Sequence, residues 1–156
     1  MKIKVTEAAP IQVDWMVAKA EGHSIVHVPG RGACRFLGVQ VRNARGGYEL
    51  MPLRLSATLK MAQGADYPGV FFSGTQYWCP STNWAQGGPI IEREFIELNV
   101  MACGQSRTTF DTWLATISRE DEDNVEASGP APLIAAMRCY VASKLGDEVE
   151  VPEELK

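Results

Sequence analysis

The sequence lacks most of the features that mark a function outright. Its four cysteines, Cys34, Cys79, Cys103 and Cys139, stand far apart and form no C-x-x-C pair. Zinc sites draw on ligands at short spacing and disulfide scaffolds on denser cysteine, so all four read as free thiols of a reducing compartment. Histidine is scarcer still, with only His23 and His27. Two histidines four apart on a strand could begin a metal site, but nothing suggests a third ligand, so no metal is expected. No apolar run approaches the ~18 residues that a membrane span needs, and no signal-peptide pattern is present. Ser81, Ser106 and Ser128 lack a G-x-S-x-G turn. Gly30-Arg31-Gly32 is too short for a phosphate loop, and no GxxxxGK[ST] occurs.

Positive charge is also in short supply. Lys and Arg number 15 against 19 Asp and Glu, for a net charge of −4. A sequence-independent nucleic-acid binder draws its affinity from cations that neutralise phosphates, so nucleic acid is an unfavoured partner. Arg31, Arg35, Arg42, Arg45 and Arg54 do gather in one stretch, where Arg35 and Arg45 could form a local anion patch, but solvated strand positions are the default.

What is present describes an ordinary globular chain of 156 residues, 46% hydrophobic and 22% charged. That length fits one domain, residues 1–156, with a core that needs no metal or cross-link. The polarity pattern predicts an α+β fold, mostly antiparallel sheet with two main helices, one near each terminus. The first helix is expected over residues 11–21, opened by Pro10 and closed by Gly22. Its apolar residues occupy two faces: Val13, Met16, Val17 and Ala20 on one, Ile11, Trp15 and Ala18 on the other. Strands over 23–28 and 34–41 and a third over 48–59 suggest an antiparallel meander. Residues 61–74 read as irregular, with short strands at 70–72 and 76–79, and residues 80–89 as a loop. Segments 94–101 and 108–117 alternate in polarity and look like a hairpin pair. Residues 120–124 form an acidic loop without calcium-ligand spacing. The second helix spans 132–145, between Pro132 and Gly146, and carries a face of small residues, Ala135, Ala136, Cys139, Ala142 and Ser143, that admits a close neighbour.

The most distinctive stretch is Tyr77 to Pro89. Trp78 and Trp84 flank Ser81, Thr82 and Asn83, and Gln86 and Gly87-Gly88 follow. Indoles are costly to expose, so such a segment either folds onto the core or lines a site. Paired glycines let a backbone approach a bound group and aim N–H groups at an anion. The candidate ligand-binding residues are therefore Trp15, Trp78, Ser81, Thr82, Asn83, Trp84, Gln86, Gly87, Gly88 and Arg93, against the plainer alternative of a buried loop plugged by Trp84. Glu92, Glu94 and Glu97 could supply acid–base chemistry, but alternating charges on a half-exposed strand are the commoner meaning. No catalytic residue and no cofactor is assigned.

Three segments together carry a family likeness: VDWMVAKAEG (residues 13–22), PSTNWAQGGPIIE (80–92) and GPAPLIAAMRCYVASKLGD (129–147). The chain resembles the NinX family, small accessory proteins of P22-like and lambdoid phages and their prophages. The middle, about residues 34–77, looks longer and more variable than in that family and is β-rich. Ala131 stands where the family tends to have a threonine ahead of the helix. The resemblance implies a phage origin and the cytoplasm of an infected bacterium, and no mechanism. Two functions are then expected, the first ahead of the second. One is a non-enzymatic binder of a small, nucleotide-derived ligand, such as a sponge for a host defence signal. The other is an interaction module or inhibitor acting on a host or phage protein, with the two-faced first helix suited to docking or to a homo-oligomer.

Overall fold

Two prolines and two glycines mark off two of the three α-helices among the described residues. The computed structural model describes residues 1–29, 35–53, 77–101, 112–119 and 123–155. Helix α1 (Pro10–Ala20) has proline at its first turn, and Gly22, at φ 72°, turns the chain out of it. Helix α3 (Pro132–Leu145) begins with Pro132 and ends at Gly146, φ 84°. Proline presets the first turn, and glycine reaches the left-handed conformation without a Cβ clash.

The described strands form three antiparallel sheets. Strands β2 (Ser24–Pro29), β3 (Arg35–Arg42) and β4 (Tyr48–Pro52) make the expected meander. Strands β5 (Glu97–Met101) and β6 (Thr112–Ile117) are the expected pair, and β7 (Val125–Gly129) joins β6 as an unanticipated third strand. Strand β1 (Lys2–Lys4) pairs with β8 (Glu148–Glu150), which brings the two chain ends together. The Met1 amine donates to the Val151 carbonyl at 2.8 Å.

Helix α3 is the centre of the core. It lies on β6 and β7 and against α1, and Ala115 and Ala127 are buried small residues on those strands. Its residues Leu133–Met137 and Cys139–Val141 are all buried. Helix α1 is enclosed as its two apolar faces require: residues 12–18 are all buried, with the polar Gln12 and Asp14 among them. Gln12 accepts the Ala9 N–H at 2.8 Å and donates to the Leu155 carbonyl at 2.9 Å, so one side chain both starts the helix and fastens the C-terminal turn. Arg138 ties α3 outward, donating to the Ser128 carbonyl at 2.8 Å and the Ala8 carbonyl at 2.7 Å.

The expected loop at 80–89 is a correction. After one turn the chain enters a third helix, α2 (Trp84–Arg93), with Pro89 inside it. Asn83 caps it, accepting the Ala85 N–H at 3.0 Å. Gly87, Gly88 and Pro89 are poor helix formers, so their local preference pointed to a loop. Packing overrides it: Ile90 is buried, and a Cβ on Gly87 would stand 2.4 Å from the Pro80 carbonyl oxygen and 2.8 Å from Leu133 Cδ2. The irregular stretch expected at 61–74, with the strand expected at 70–72, lies outside the described residues. Of the strand expected at 76–79, Trp78 forms a single parallel bridge to Leu53.

Candidate functional site

The aromatic segment is folded onto α1 through Trp78 and Ser81. Trp78 is 6% exposed, and its indole N–H donates to the Asp14 carbonyl at 2.8 Å. The His23 ring meets it edge-on, centroids 5.0 Å apart. Ser81 is buried, its N–H donating to Asp14 Oδ1 at 2.8 Å and its hydroxyl to the Pro10 carbonyl at 3.3 Å. Gln86 spans the other side, accepting the Cys79 N–H and donating to the Tyr77 carbonyl, both at 2.7 Å. The Gly87 N–H donates to the Asn83 carbonyl at 2.9 Å. Gly88 lies beside Trp84, 4.0 Å from Cε3 if given a Cβ.

The residues named from the sequence therefore divide. Trp15, Trp78, Ser81 and Gly87 are buried, while Thr82 and Trp84 face outward and Asn83, Gln86 and Gly88 are half-buried. Trp15 is remote in chemistry from the rest: its indole N–H has no partner among the described residues, and Lys19 Nζ sits 5.3 Å over its ring. Trp84 alone of these indoles is largely outside, 56% exposed on the first turn of α2.

Arg93 belongs to a second constellation, where the C-terminal ends of all three helices meet. Its guanidinium donates to both oxygens of Glu21, at 2.6 and 3.2 Å, and to Glu94 at 3.0 Å. Lys144 pairs with Glu94 at 2.8 Å. The Tyr140 hydroxyl donates to the Glu21 carboxylate. Arg93 and Lys144 both lie over the Tyr140 ring, at 5.9 and 5.7 Å. Burial pushes the Glu21 carboxyl upward, but the bonds from Arg93 and Tyr140 outweigh it and hold it below the usual range. Burial likewise raises Glu94, and Lys144 and Arg93 bring it below the usual range. The Tyr140 phenol is pushed well up, first by burial and then by its bond to Glu21. Such a phenol is a firm donor and a poor base at neutral pH, so the cluster works as a clasp for three helix ends.

Sequence reasoning missed Asp14, Glu21 and Tyr140. Asp14 did carry a signal, as a carboxylate flanked by two apolar faces of one helix. Burial pushes its carboxyl up to about 7, with the Ser81 hydrogen bonds pulling the other way. The two histidines separate: His23 packs on Trp78, where burial lowers its pKa, and His27 is exposed. Among the described residues, no three His, Cys, Asp or Glu side chains gather where they could hold a metal ion. No described helix is long and apolar enough to cross a membrane.

Fold and site together define an α+β domain whose distinctive segment is built as a capped helix, with one indole left on its surface. The chain belongs to the Bacteriophage P22 NinX family, whose model matches residues 4–144, a span that includes 34–77. It is thus a phage accessory protein. No curated protein matches the chain.

Proposed function

We propose that this phage protein is a non-enzymatic binding protein of the infected cytoplasm, and that α2 is the element that meets its partner. Trp84 carries the reading. A half-exposed indole on the first turn of a helix is an unfavourable use of a large ring unless something covers it.

Two partner chemistries compete for that surface. A flat, nucleotide-derived ligand could stack on Trp84, with Thr82 beside it. It would also need polar groups to fix its orientation. Ser81 is already bonded to Asp14 and Pro10, Asn83 to the Ala85 N–H, Gln86 to Cys79 and Tyr77, and Arg93 to Glu21 and Glu94, and the Gly87 N–H is spent inside the helix. A protein partner needs no such set, because an exposed aromatic on a helix anchors directly in a partner's groove. This favours a host or phage protein over a sequestered signal.

The test compares wild type with Trp84→Ala, a change at a surface position. In pull-downs from infected cells, the wild type is expected to retain a stoichiometric protein that the variant loses. Titration with nucleotides, cyclic nucleotides and ADP-ribose is expected to leave the melting temperature unchanged. A ligand-induced shift that Trp84→Ala removes would restore the small-molecule reading. Native mass spectrometry separates both from a homodimer.

A further inference from the structure

Two helices of this chain end in the same hydrogen-bonded motif and fill its left-handed position differently. At the end of α1, the Gly22 N–H donates to Lys19 and the His23 N–H to Ala18, at 3.1 and 2.9 Å. At the end of α2, the Phe95 N–H donates to Glu92 and the Ile96 N–H to Ile91, at 3.4 and 3.0 Å. The residue that turns the chain is Gly22 in the first case, with φ 72°, and Phe95 in the second, with φ 51°. Glycine is the usual occupant because any Cβ crowds the backbone there, and a bulky side chain is an outlier. The Phe95 ring recovers nothing by packing, since it is 86% exposed against 73% for Tyr48 and 56% for Trp84. Ile96, its neighbour, is buried and fixes the turn from which the ring projects.

The charge around the ring is one-sided. Arg93 and Lys144 are taken up by Glu21 and Glu94. Glu92 and Glu97 are exposed and make no ion pair among the described residues. Phe95 is thus an apolar knob with an exposed, unpaired acid three residues before it and another two after it, in a chain of net charge −4.

We infer that Phe95 is a docking anchor that enters an apolar pocket rimmed by Lys or Arg on a different protein. A second copy docking through this same face is a poor occupant, because it would set Glu92 and Glu97 against the same acids. The left-handed turn holds the ring clear of the helix, where a partner can reach it. The inference deepens the protein-partner reading above and rests on it, but it places the anchor at the opposite end of α2 from Trp84, so the two can fail separately.

The first measurement needs no partner. Phe95→Gly should raise the melting temperature of the purified chain by about 2–4 °C, because it relieves the left-handed strain and removes no packing. A lower melting temperature would mean the ring is held by its own chain, and would overturn the proposal. The second places the photocrosslinker p-benzoylphenylalanine at position 95 in infected cells, then purifies the captured protein and titrates it. Binding should weaken at least ~30-fold in Phe95→Gly. The Glu92→Lys, Glu97→Lys double variant should weaken it further as salt is lowered, the reverse of the wild type. Capture of this chain alone, no capture, or unchanged affinity in Phe95→Gly each overturns the proposal. Loss of binding in Trp84→Ala with none in Phe95→Gly would keep the protein-partner reading and discard this anchor.

Discussion

The Ser81 N–H donates to Asp14 Oδ1 at 2.8 Å across 67 residues of sequence, inside the core. Asp14 is 4% exposed and shares α1 with no residue that neutralises it; what acts on its carboxyl is burial, opposed by Ser81. The same residue's carbonyl holds the Trp78 indole. One helix position thus receives the whole turn that leads into α2.

The first prediction concerns pH. The folded pKa of Asp14 is raised from the ordinary 3.8 to about 7. The folded chain therefore keeps a proton that the unfolded chain releases. Its stabilising contribution is fully present below pH ~4 and is lost as pH rises to about 7. Asp14→Asn keeps an acceptor for Ser81 and removes the titration. Melts at pH 5 and pH 8 should show a fall in wild type and a smaller one in the variant. At pH 8 the variant should be the more stable, on the order of 1–3 kcal/mol. Parallel falls in the two proteins would refute the assignment.

Adjacent glycines should respond in opposite senses. Gly87→Ala forces a Cβ to 2.4 Å from the Pro80 carbonyl oxygen, and backbone cannot swing aside, so a loss of about 1–3 kcal/mol is expected. Gly88→Ala brings only an ordinary contact with Trp84 at 4.0 Å and gains helix propensity, up to about 1 kcal/mol. Chemical denaturation of both variants checks this. If both are neutral, Gly87 is not there for packing.

Helix α3 starts without a side-chain cap, since Ala131 occupies the N-cap with φ −141° and ψ 152°. That backbone is already the extended one that a capping hydroxyl uses. Ala131→Thr should add about 1 kcal/mol, read as a higher midpoint at unchanged denaturant slope.

Tyr140→Phe removes the phenol from Glu21 while Arg93 remains. A loss of about 1–2 kcal/mol is expected, because the bond is to a charged acceptor near the surface. Glu21 and Glu94 are held below their ordinary pKa values, so their contribution is present above pH ~4.5 and is lost on acidification. The double variant Tyr140→Phe, Glu21→Gln should cost less than the sum of the single changes, as groups sharing one interaction do.

Much of the architecture was legible because its signals are local. Pro10 and Gly22 bracket α1, and Pro132 and Gly146 bracket α3, since proline and glycine act on their own dihedrals wherever they stand. The alternation in β5 and β6 likewise told that they pair. The two apolar faces of α1 told that it would be enclosed. Strand β8 was too short to show a pattern, and β7, Val-Glu-Ala-Ser-Gly, too small and polar to read as a strand.

The sequence by itself determined the α+β class, the ends of two helices and the family. Tertiary structure decided that 84–93 is helical, because the burial of Ile90 and the close fit of Gly87 against Pro80 and Leu133 override the helix preferences of two glycines and a proline. It also decided which tryptophan faces out and which carboxylate is buried. Those outcomes depend on partners such as Asp14 and Ser81, or Glu21 and Tyr140, that only folding brings into hydrogen-bond range.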